Sequence, residues 1–403
     1  MTGRNALHHG LDLQPYAQPE QYLAVHRDYV FLPRLLQAAG YRTAMLGKWH
    51  LGFFRPEYTP VGRGFEEYLG YLSGDENYTS HFKWPPYKGG GIPDLAYITD
   101  LFNNTAPALG NPYNGTYSTL MYAAEAERIV RAHAANATAG PLYLYLALQS
   151  THSPYTYLPE YFALYPQLPA NSIQRRMHAM VSAADAVVQR LVAALRDTGL
   201  WDNTLLVLHS DNGAPEAASP GYPGSETNGG GSAYPYRGQK FTTWEGGTHT
   251  PAIVAGGWLP PACAGGQAHG LMHVTDWYRT FGEAAGVPAA AMQAANQSGP
   301  HPIDGFSALA HLQSCGAAPV ERNESLYWFR DDNNGALRVG RWKLLMGAQG
   351  WNKYCWTPNY TDPHSDGQVR NEKEKKEGRK EGRKEERQKD GNERKGRTKG
   401  GNG

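Results

Sequence analysis

The sequence predicts an α/β protein in which a large, mainly parallel sheet is flanked by helices and followed by a small C-terminal antiparallel sheet. Three observations predict this fold. Continuous apolar runs of strand length end in polar loops. A long segment with apolar residues at helical spacing separates two of these runs, which makes a strand, helix, strand unit. Two aromatic-rich runs flank a DDNNG turn towards the C-terminus, which indicates a hairpin.

The first helix and strand precede the stretch GKWHLG. The segment DYVFLPRLLQAAGYRTAML predicts an amphipathic helix that stops at Gly40, and then a short buried strand from Tyr41 to Leu46. Lys48 and His50 follow at the edge where open α/β sheets bind ligands, and residues two apart in an extended chain point the same way. Taken singly, a solvated lysine and a turn histidine are the ordinary alternative.

Three further segments predict buried parallel strands. PLYLYLALQSTHSP has an apolar run over 142–148 and a polar turn with His152; NTLLVLHSDNG has one over 205–208 that ends in Asp211 and Asn212; TPAIVAGG is the third. The segment QRRMHAMVSAADAVVQRLVAALRDTG between the first two predicts a helix, because its apolar residues recur at helical spacing. Together they form the βαβ unit of a parallel sheet.

The C-terminal part divides into two regions. ESLYWFRDDNNGALRVGRWKLLMG predicts a small antiparallel sheet within a subdomain at 321–365, after a main domain at 1–320. Residues 366–403 are predicted to be a disordered, low-complexity charged tail, because their composition cannot bury a core. Its KEGRKEGRKE cycle is typical of a charged interaction tail or of translated repeat DNA, and we favour the second interpretation.

The distribution of charge argues against nucleic acid as a partner. The formal net charge is +1, but residues 371–403 hold 13 basic and 8 acidic residues, which leaves 25 basic and 29 acidic residues in the body. A mildly acidic body gives no indication of nucleic-acid binding. The three cysteines have no C-x-x-C spacing, so neither a zinc site nor a dense disulfide framework is predicted, and one disulfide remains possible.

Glycosylation motifs suggest a cellular route. Seven N-x-[ST] motifs fit a secreted or lysosomal glycoprotein better than a cytosolic protein; they begin at Asn77, Asn103, Asn114, Asn136, Asn296, Asn323 and Asn359. No signal peptide opens the chain, so we expect either a cytosolic protein or a beginning that lies upstream. No run of 18 apolar residues predicts a membrane span.

The polar residues at the strand ends suggest the chemistry. Lysines and histidines that meet at one edge suit an anionic ester, because fixed cations stabilise negative charge that develops on non-bridging oxygens. These residues are Lys48, His50, His152 and, in YRGQKFTTWEGGTHTPAI, Lys240. The adjacent oxygen ligands Asp211 and Asn212 suit Ca²⁺ or Mg²⁺. Each motif alone is weak, since DNG is more often a turn and THSP a strand-end loop.

Together and in this order, the motifs resemble the sulfatase family of the alkaline-phosphatase-like superfamily. GYRTAMLGKWHLG is similar to the second sulfatase signature, LALQSTHSP to the segment with the substrate-contacting histidine, LHSDNG to the metal-binding pair, and RGQKFTTWEGGTHTPAIVAGG to the lysine segment. GRGFEEYLGYLSGDENYTSH resembles the arylsulfatase B-like branch. The resemblance runs from Thr2 to about Tyr360 and implies an alkaline-phosphatase-like sandwich.

The resemblance implies a sulfuric ester hydrolase with specific residue roles. Lys48 and Lys240 would hold sulfate oxygens. His50 would bond to the hydroxyl of a hydrated formylglycine nucleophile and assist sulfate release, and His152 would contact the sulfate and help protonate the leaving alcohol. The implied substrate is a sulfated small molecule or carbohydrate. A Ca²⁺ ion would be held in part by Asp211 and Asn212.

The match departs from the family at the nucleophile. The family forms formylglycine from the cysteine of C-x-P-S-R-x-x-L-x-T-G-R, and only its last three residues appear here, as Thr2-Gly3-Arg4. The cysteine, the first strand and its Asp-Asp pair would lie upstream of Met1, so we expect a main domain without its first strand and no turnover by the chain itself. A full-length form would need a formylglycine-generating enzyme and would follow the secretory pathway to a lysosomal or extracellular location.

Two other functions remain open. The same superfamily scaffold accepts phosphorus esters, so a phosphodiesterase or phosphonate hydrolase is one alternative, although GKWH and the WEGG segment favour sulfate. The other alternative is a catalytically dead sulfatase homologue that binds sulfated glycans through the retained lysines and histidines.

Overall fold

The computed structural model describes residues 1–11, 22–83, 98–108, 112–136, 138–215, 230–240, 242–329 and 334–347. The strands in these residues are β1 Arg42–Gly47, β2 Glu67–Gly70, β3 Phe82–Lys83, β4 Ile98–Thr99, β5 Phe102–Asn103, β6 Ala106–Pro107, β7 Leu142–Ala147, β8 Leu206–His209, β9 Ala252–Ala255, β10 Glu324–Phe329, β11 Asn334–Val339 and β12 Trp342–Met346. The helices are α1 Ala6–His9, α2 Leu32–Gln37, α3 Ser118–Ala134, α4 Pro159–Phe162, α5 Ile173–Asp197, α6 Glu245–Thr248, α7 Asp276–Ala284, α8 Ala289–Asn296 and α9 Leu309–Gln313.

The main sheet has the strand order β6-β5-β2-β1-β7. β1 runs parallel to both β2 and β7, whereas β2, β5 and β6 pair antiparallel in succession. The predicted helix and strand before Lys48 are confirmed as α2 and β1. Gly40 between them adopts a φ of 79°, a conformation that glycine reaches without the strain other residues would carry.

The strands β8 and β9 form a separate antiparallel pair. The prediction of three parallel strands is therefore wrong in one respect, because β8 and β9 cannot both run parallel to β7. Their burial also differs from the prediction, since Leu208 of β8 is 41% exposed and Ile253 of β9 is 57% exposed. An apolar run indicates a strand, but burial on both faces requires neighbouring elements that the described residues do not supply here.

The helices α3 and α5 carry much of the core. α3 buries Met121, Tyr122 and Ile129 against apolar residues of β1 and β2. α5 is the predicted helix between β7 and β8, and among the described helices it alone has the length and apolar content of a membrane span. It buries residues such as Val187 inside the protein and its Arg190 pairs with Glu127 of α3, so it packs as a core helix.

The C-terminal sheet confirms the predicted hairpin. β10 and β11 pair antiparallel, and a third strand, β12, pairs with β11. The only cysteine pair in the described part of the chain, Cys263 and Cys315, forms a disulfide with an S–S distance of 2.06 Å. Cys355 and the predicted charged tail at 366–403 lie outside the described residues.

Candidate active site

The stretch after β1 keeps its hydrogen bonds with both neighbouring strands. The Lys48 N–H donates to the carbonyl of Ala147 at the end of β7 (2.9 Å), and the Trp49 N–H donates to the carbonyl of Tyr71 after β2 (2.9 Å). Trp49 is only 3% exposed and packs in an apolar cluster. The indole thus anchors the segment, and Lys48 is held at the carboxyl edge of the sheet, as predicted.

Two glycines allow the backbone to approach closely here. Gly47 has a φ of 91°, and a Cβ on it would lie 2.0 Å from the carbonyl oxygen of Ala147. A Cβ on Gly74 would lie 2.8 Å from the imidazole ring of His50. His50 itself has a φ of 51°, and its N–H donates to the carbonyl of Leu72 (3.1 Å). The ring of His50 therefore lies against the loop that follows β2.

His152 lies in the loop after β7, held through its backbone. Its N–H donates to the carbonyl of Gln149 (2.9 Å), and its carbonyl accepts from the hydroxyl of Tyr78 (2.8 Å). The Nδ1 atom lies 2.8 Å from the carbonyl of Ser153, which assigns the proton to Nδ1 and makes Nε2 an acceptor. Burial, with the nearby charges of two lysines, lowers the pKa of His152 to about 4, so the imidazole is neutral at pH 7.

The loop after β8 and the loop with Lys240 are joined by backbone hydrogen bonds. The Gly213 N–H donates to the carbonyl of Gly247 (3.0 Å), and the Lys240 N–H donates to the carbonyl of Ala214 (3.1 Å). Burial lowers the pKa of Lys240, and Asp211 opposes this shift. The two predicted motifs, separated by a long connection in sequence, therefore meet.

The charges at the sheet edge lie close enough to act on one another. Burial lowers the pKa of Lys48 to about 8; Asp211 opposes this shift and Lys240 adds to it. Lys240 and Lys48 also lower the pKa of His152. The structure thus brings together four of the six predicted site residues, Lys48, His152, Lys240 and Asp211. His50 joins them through the loop after β2, and Asn212 adjoins Asp211.

Two charged residues of this site were missed by the sequence analysis. Asp75 and Lys83 form an ion pair, and the charges of both act on the pKa of Lys48. The available signal was the strand EYLG in GRGFEEYLGYLSGDENYTSH, because a strand parallel to β1 ends at the same edge of the sheet.

The C-terminal sheet holds the segment that follows Lys240. Glu245, the first residue of α6, accepts a hydrogen bond from Arg338 of β11 (3.0 Å) and another from Lys343 of β12 (2.8 Å). Burial raises the pKa of Glu245, but Lys343 and Arg338 outweigh it and the net shift is downward. These ion pairs tie the small sheet to the lysine segment of the site.

The segment Thr2-Gly3-Arg4 packs against α7 and is held at the C-terminal end of α8. Arg4 is 5% exposed and its guanidinium donates to the carbonyls of Ala295 (2.9 Å) and Ser298 (2.9 Å). Gly3 has a φ of 68°, and a Cβ there would lie 2.8 Å from the Cβ of Tyr278. Gly3 and Arg4, which match the end of the family motif, therefore have a packing role in this chain.

The predicted metal ligands do not make a complete calcium site. Ca²⁺ takes about six to eight oxygen ligands, whereas the loop after β8 offers the side-chain oxygens of Asp211 and Asn212. The amide of Asn212 donates to a carboxylate oxygen of Asp211. No group of three or more His, Cys, Asp or Glu residues in the described ranges could hold a metal. The pair stays a predicted part of a site that needs further ligands.

We expect Ca²⁺ to stabilise this chain only slightly. With two ligands, the dissociation constant should be about 1 mM or weaker, so about 1 mM Ca²⁺ adds no more than about 0.4 kcal/mol to the free energy of unfolding. Thermal unfolding with EDTA and with CaCl₂ measures this, with Asp211→Ala as the control. A rise in Tm of more than about 5 °C, lost in Asp211→Ala, would show that the chain holds a complete site.

Comparison with known proteins identifies the family. The chain matches the family model described as Sulfatase over residues 1–287. Arylsulfatase J of Mus musculus is 31% identical over 376 residues, which cover 89% of this chain and 57% of that protein. N-acetylgalactosamine-6-sulfatase of Mus musculus is 31% identical over 331 residues, which cover 80% of this chain and 56% of that protein.

Solved structures agree with the predicted fold. The crystal structure of Ps i-CgsB in complex with k-i-k-neocarrahexaose has a TM-score of 0.69 and 28% identity, and the match covers 86% of this chain and 71% of that chain. PsFucS1 sulfatase from Pseudoalteromonas sp. shares the fold, with a TM-score of 0.66 and 24% identity over 85% of this chain and 66% of that chain. This chain spans less than two thirds of the curated relatives it matches, at 57% and 56% of their lengths. From the matched residues and the shared fold we conclude that the chain belongs to the sulfatase family.

Proposed function

We propose that the function is sulfuric ester hydrolysis of the arylsulfatase type, and that this chain supplies the side chains that bind the sulfate group. The convergence of Lys48, Lys240 and His152 carries the proposal, since both lysines lower the pKa of His152 and Lys240 lowers that of Lys48 at one edge of the sheet. Three groups able to carry positive charge, partly removed from water, suit a compact anion better than a neutral ligand.

The proposed roles follow from the local chemistry. The ammonium groups of Lys48 and Lys240 donate to sulfate oxygens. His152 is neutral before an anion binds, because its pKa is lowered to about 4 by burial and by the two lysines. A bound sulfate ester adds negative charge and raises that pKa, so that the imidazole can hold the proton required by a leaving alcohol. His50, which lies against Gly74, would assist the release of sulfate.

We propose a sulfated carbohydrate as the substrate class. Ps i-CgsB, 28% identical to this chain, is known in complex with a neocarrahexaose. The name of a second relative, N-acetylgalactosamine-6-sulfatase, specifies a sulfated amino sugar. The descriptions of both proteins name a carbohydrate. This supports a sulfated sugar, more than a simple aryl sulfate, as the natural ligand of this chain.

A second candidate is binding of sulfated glycans without turnover. The sequence has the cationic groups but no cysteine in a C-x-P-S-R context. Cys263 and Cys315 are joined to each other, so neither is available as a nucleophile while that bond is intact. Sulfate binding is common to both candidates, and turnover by a form of the protein that carries the formylglycine motif would separate them.

Isothermal titration of the chain with inorganic sulfate and sulfated monosaccharides tests the proposal. Lys240→Ala should weaken sulfate binding about 10- to 100-fold, as expected for loss of one charge-assisted hydrogen bond. Arg27→Ala is the control, since Arg27 is an exposed cation with 69% of its side-chain surface accessible. Equal affinity in Lys240→Ala and the parent chain would contradict the proposal. Tighter binding of phosphate than of sulfate would favour the phosphorus-ester alternative.

Sulfate affinity should fall as the pH rises through the pKa of Lys48. This pKa is lowered to about 8, mainly by burial, so the ammonium is charged below pH 8 and neutral above it. Because sulfate binding needs the cation, affinity is retained at pH 7 and should drop about tenfold by about pH 9. Lys48→Arg should remove this step, since a guanidinium keeps its charge in that range. An unchanged pH profile in Lys48→Arg would exclude Lys48 as the titrating group.

We also propose that the protein follows the secretory pathway, where it would meet a formylglycine-generating enzyme. The disulfide between Cys263 and Cys315 supports an oxidising compartment. Four of the predicted glycosylation motifs have exposed asparagines, at Asn103, Asn114, Asn136 and Asn323. Asn77 and Asn296 are half-buried and accept hydrogen bonds through their side-chain oxygens. We therefore expect glycans at the exposed group first.

A further inference from the structure

The loop after β2 places an ion pair beside the candidate active site. Asp75 accepts a hydrogen bond from the ammonium group of Lys83, and their side chains are 27% and 10% exposed, respectively. The preceding residue, Gly74, lies against the ring of His50. A Cβ placed on Gly74 would lie 2.8 Å from the Cε1 atom of His50. Asp75 is therefore the more accessible member of the pair, next to a predicted catalytic histidine.

The backbone on both sides of Asp75 is fixed. The Ser73 N–H donates to a carboxylate oxygen of Asp100 (2.9 Å). On the other side, the carbonyl of Glu76 accepts from the side-chain amide of Gln149. Ser73, Glu76, Asp100 and Gln149 are all buried. The carboxylate of Asp75 thus projects from a positioned backbone, which is the condition for selective recognition of a ligand group.

The charge of Asp75 reaches both lysines and His152. It raises the pKa of Lys48, of Lys240 and of His152, in opposition to the burial that lowers each of them. A carboxylate near these groups repels a bound sulfate and partly neutralises the groups that attract it. Asp75 therefore does not contribute to holding the sulfate, and its partial exposure leaves it available to a neutral hydrogen-bond donor.

We propose that Asp75, oriented by Lys83, is a specificity-determining residue that accepts a hydrogen bond from a hydroxyl or amide N–H of the sugar next to its sulfate group. This inference rests on the proposed function, because it names the part of the substrate that the sulfate-binding groups do not address. A site with a positioned acceptor discriminates against ligands that lack the donor, since the carboxylate is then left without its partner. Lys83 acts as a positioning residue that fixes the carboxylate.

Binding of two probes to the full chain and to Asp75→Asn tests the proposal. The first probe is inorganic sulfate, which has no sugar donor. The second is whichever of galactose, glucosamine and N-acetylgalactosamine monosulfates the parent chain binds most tightly. Removing the negative charge should raise sulfate affinity by about threefold, whereas sugar-sulfate affinity should fall by about tenfold. The ratio of sugar-sulfate affinity to sulfate affinity should therefore fall by about thirtyfold.

Asp197→Asn is the matched control, because it removes the same charge from an exposed pair with Arg131. It should leave the affinity ratio unchanged, and unfolding curves should show that Asp75→Asn remains folded. If Asp75→Asn raises the affinity for both probes equally, the residue acts only through its charge and the inference fails. It also fails if both probes weaken equally, or if the parent chain binds the sugar sulfates no more tightly than sulfate. If the parent chain binds no probe, the proposed function itself fails.

Discussion

A preparation of the 403-residue chain is expected to hydrolyse 4-nitrophenyl sulfate no faster than its Lys240→Ala variant. In the proposed site the two lysines and His152 would bind and polarise a sulfate group, but they do not include the nucleophile that the sulfatase resemblance implies. Positioning and charge stabilisation accelerate a reaction only when an attacking group is present. The expected effect is a complete loss of turnover relative to a formylglycine-containing sulfatase.

The cysteines of the chain do not change this expectation. Cys263 and Cys315 form a disulfide, and Cys355 lies in the sequence KYCWTPN, which does not resemble C-x-P-S-R. The measurement is release of 4-nitrophenol at high protein concentration, with the Lys240→Ala variant purified in the same way to account for contaminating enzymes. Reproducible release that is faster for the parent chain than for Lys240→Ala would show that another group attacks the ester.

Replacement of Arg322 by Met is expected to cause the largest loss of stability among single changes of charge. Arg322 donates to both carboxylate oxygens of Asp276, at 2.8 Å and 2.7 Å, and the two side chains are 9% and 2% exposed. Without the guanidinium, Asp276 would remain buried as an uncompensated charge. Breaking such a pair typically costs about 3–5 kcal/mol of the free energy of unfolding.

The buried pair also connects parts of the molecule. Arg322 lies just before β10, and Asp276 is the first residue of α7. The carboxylate of Asp276 also accepts hydrogen bonds from the N–H groups of His273 (2.7 Å) and Phe306 (2.9 Å). Loss of Arg322 should therefore loosen the C-terminal sheet, which in turn holds Glu245 near the Lys240 segment. We expect weaker sulfate binding in Arg322→Met as a secondary effect.

Urea unfolding of Arg322→Met and of Arg131→Met provides the comparison. Arg131 pairs with Asp197 at 3.0 Å, but their side chains are 52% and 58% exposed. Its loss should change the free energy of unfolding by less than about 1 kcal/mol, because exposed ion pairs are screened by water and salt. Equal, small effects in both variants would mean that the buried pair contributes no more than a surface pair.

The local sequence was sufficient for much of the fold. The helix before Gly40, the strands that precede Lys48 and His152, the helix between β7 and β8, and the C-terminal hairpin were all predicted. Helical and strand periodicities, stop signals and turn residues are properties of short segments, so they can be read without knowledge of the partners. The antiparallel pairing of β8 with β9 and the exposure of Ile253 could not be predicted from the local sequence, because pairing and burial depend on which elements lie alongside.

The sequence by itself determined the sulfatase resemblance and the positions of Lys48, His50, His152 and Lys240, since each lies in a contiguous motif. Only the tertiary structure decided that Asp75 and Lys83 join them, that Glu245 is held by the C-terminal sheet, and that Cys263 bonds to Cys315. The physical reason is that a motif is specified by neighbours along the chain, whereas ion pairs and disulfides are specified by packing between distant segments. The pKa of Lys48, lowered by burial among charges from several loops, belongs to the second kind of property.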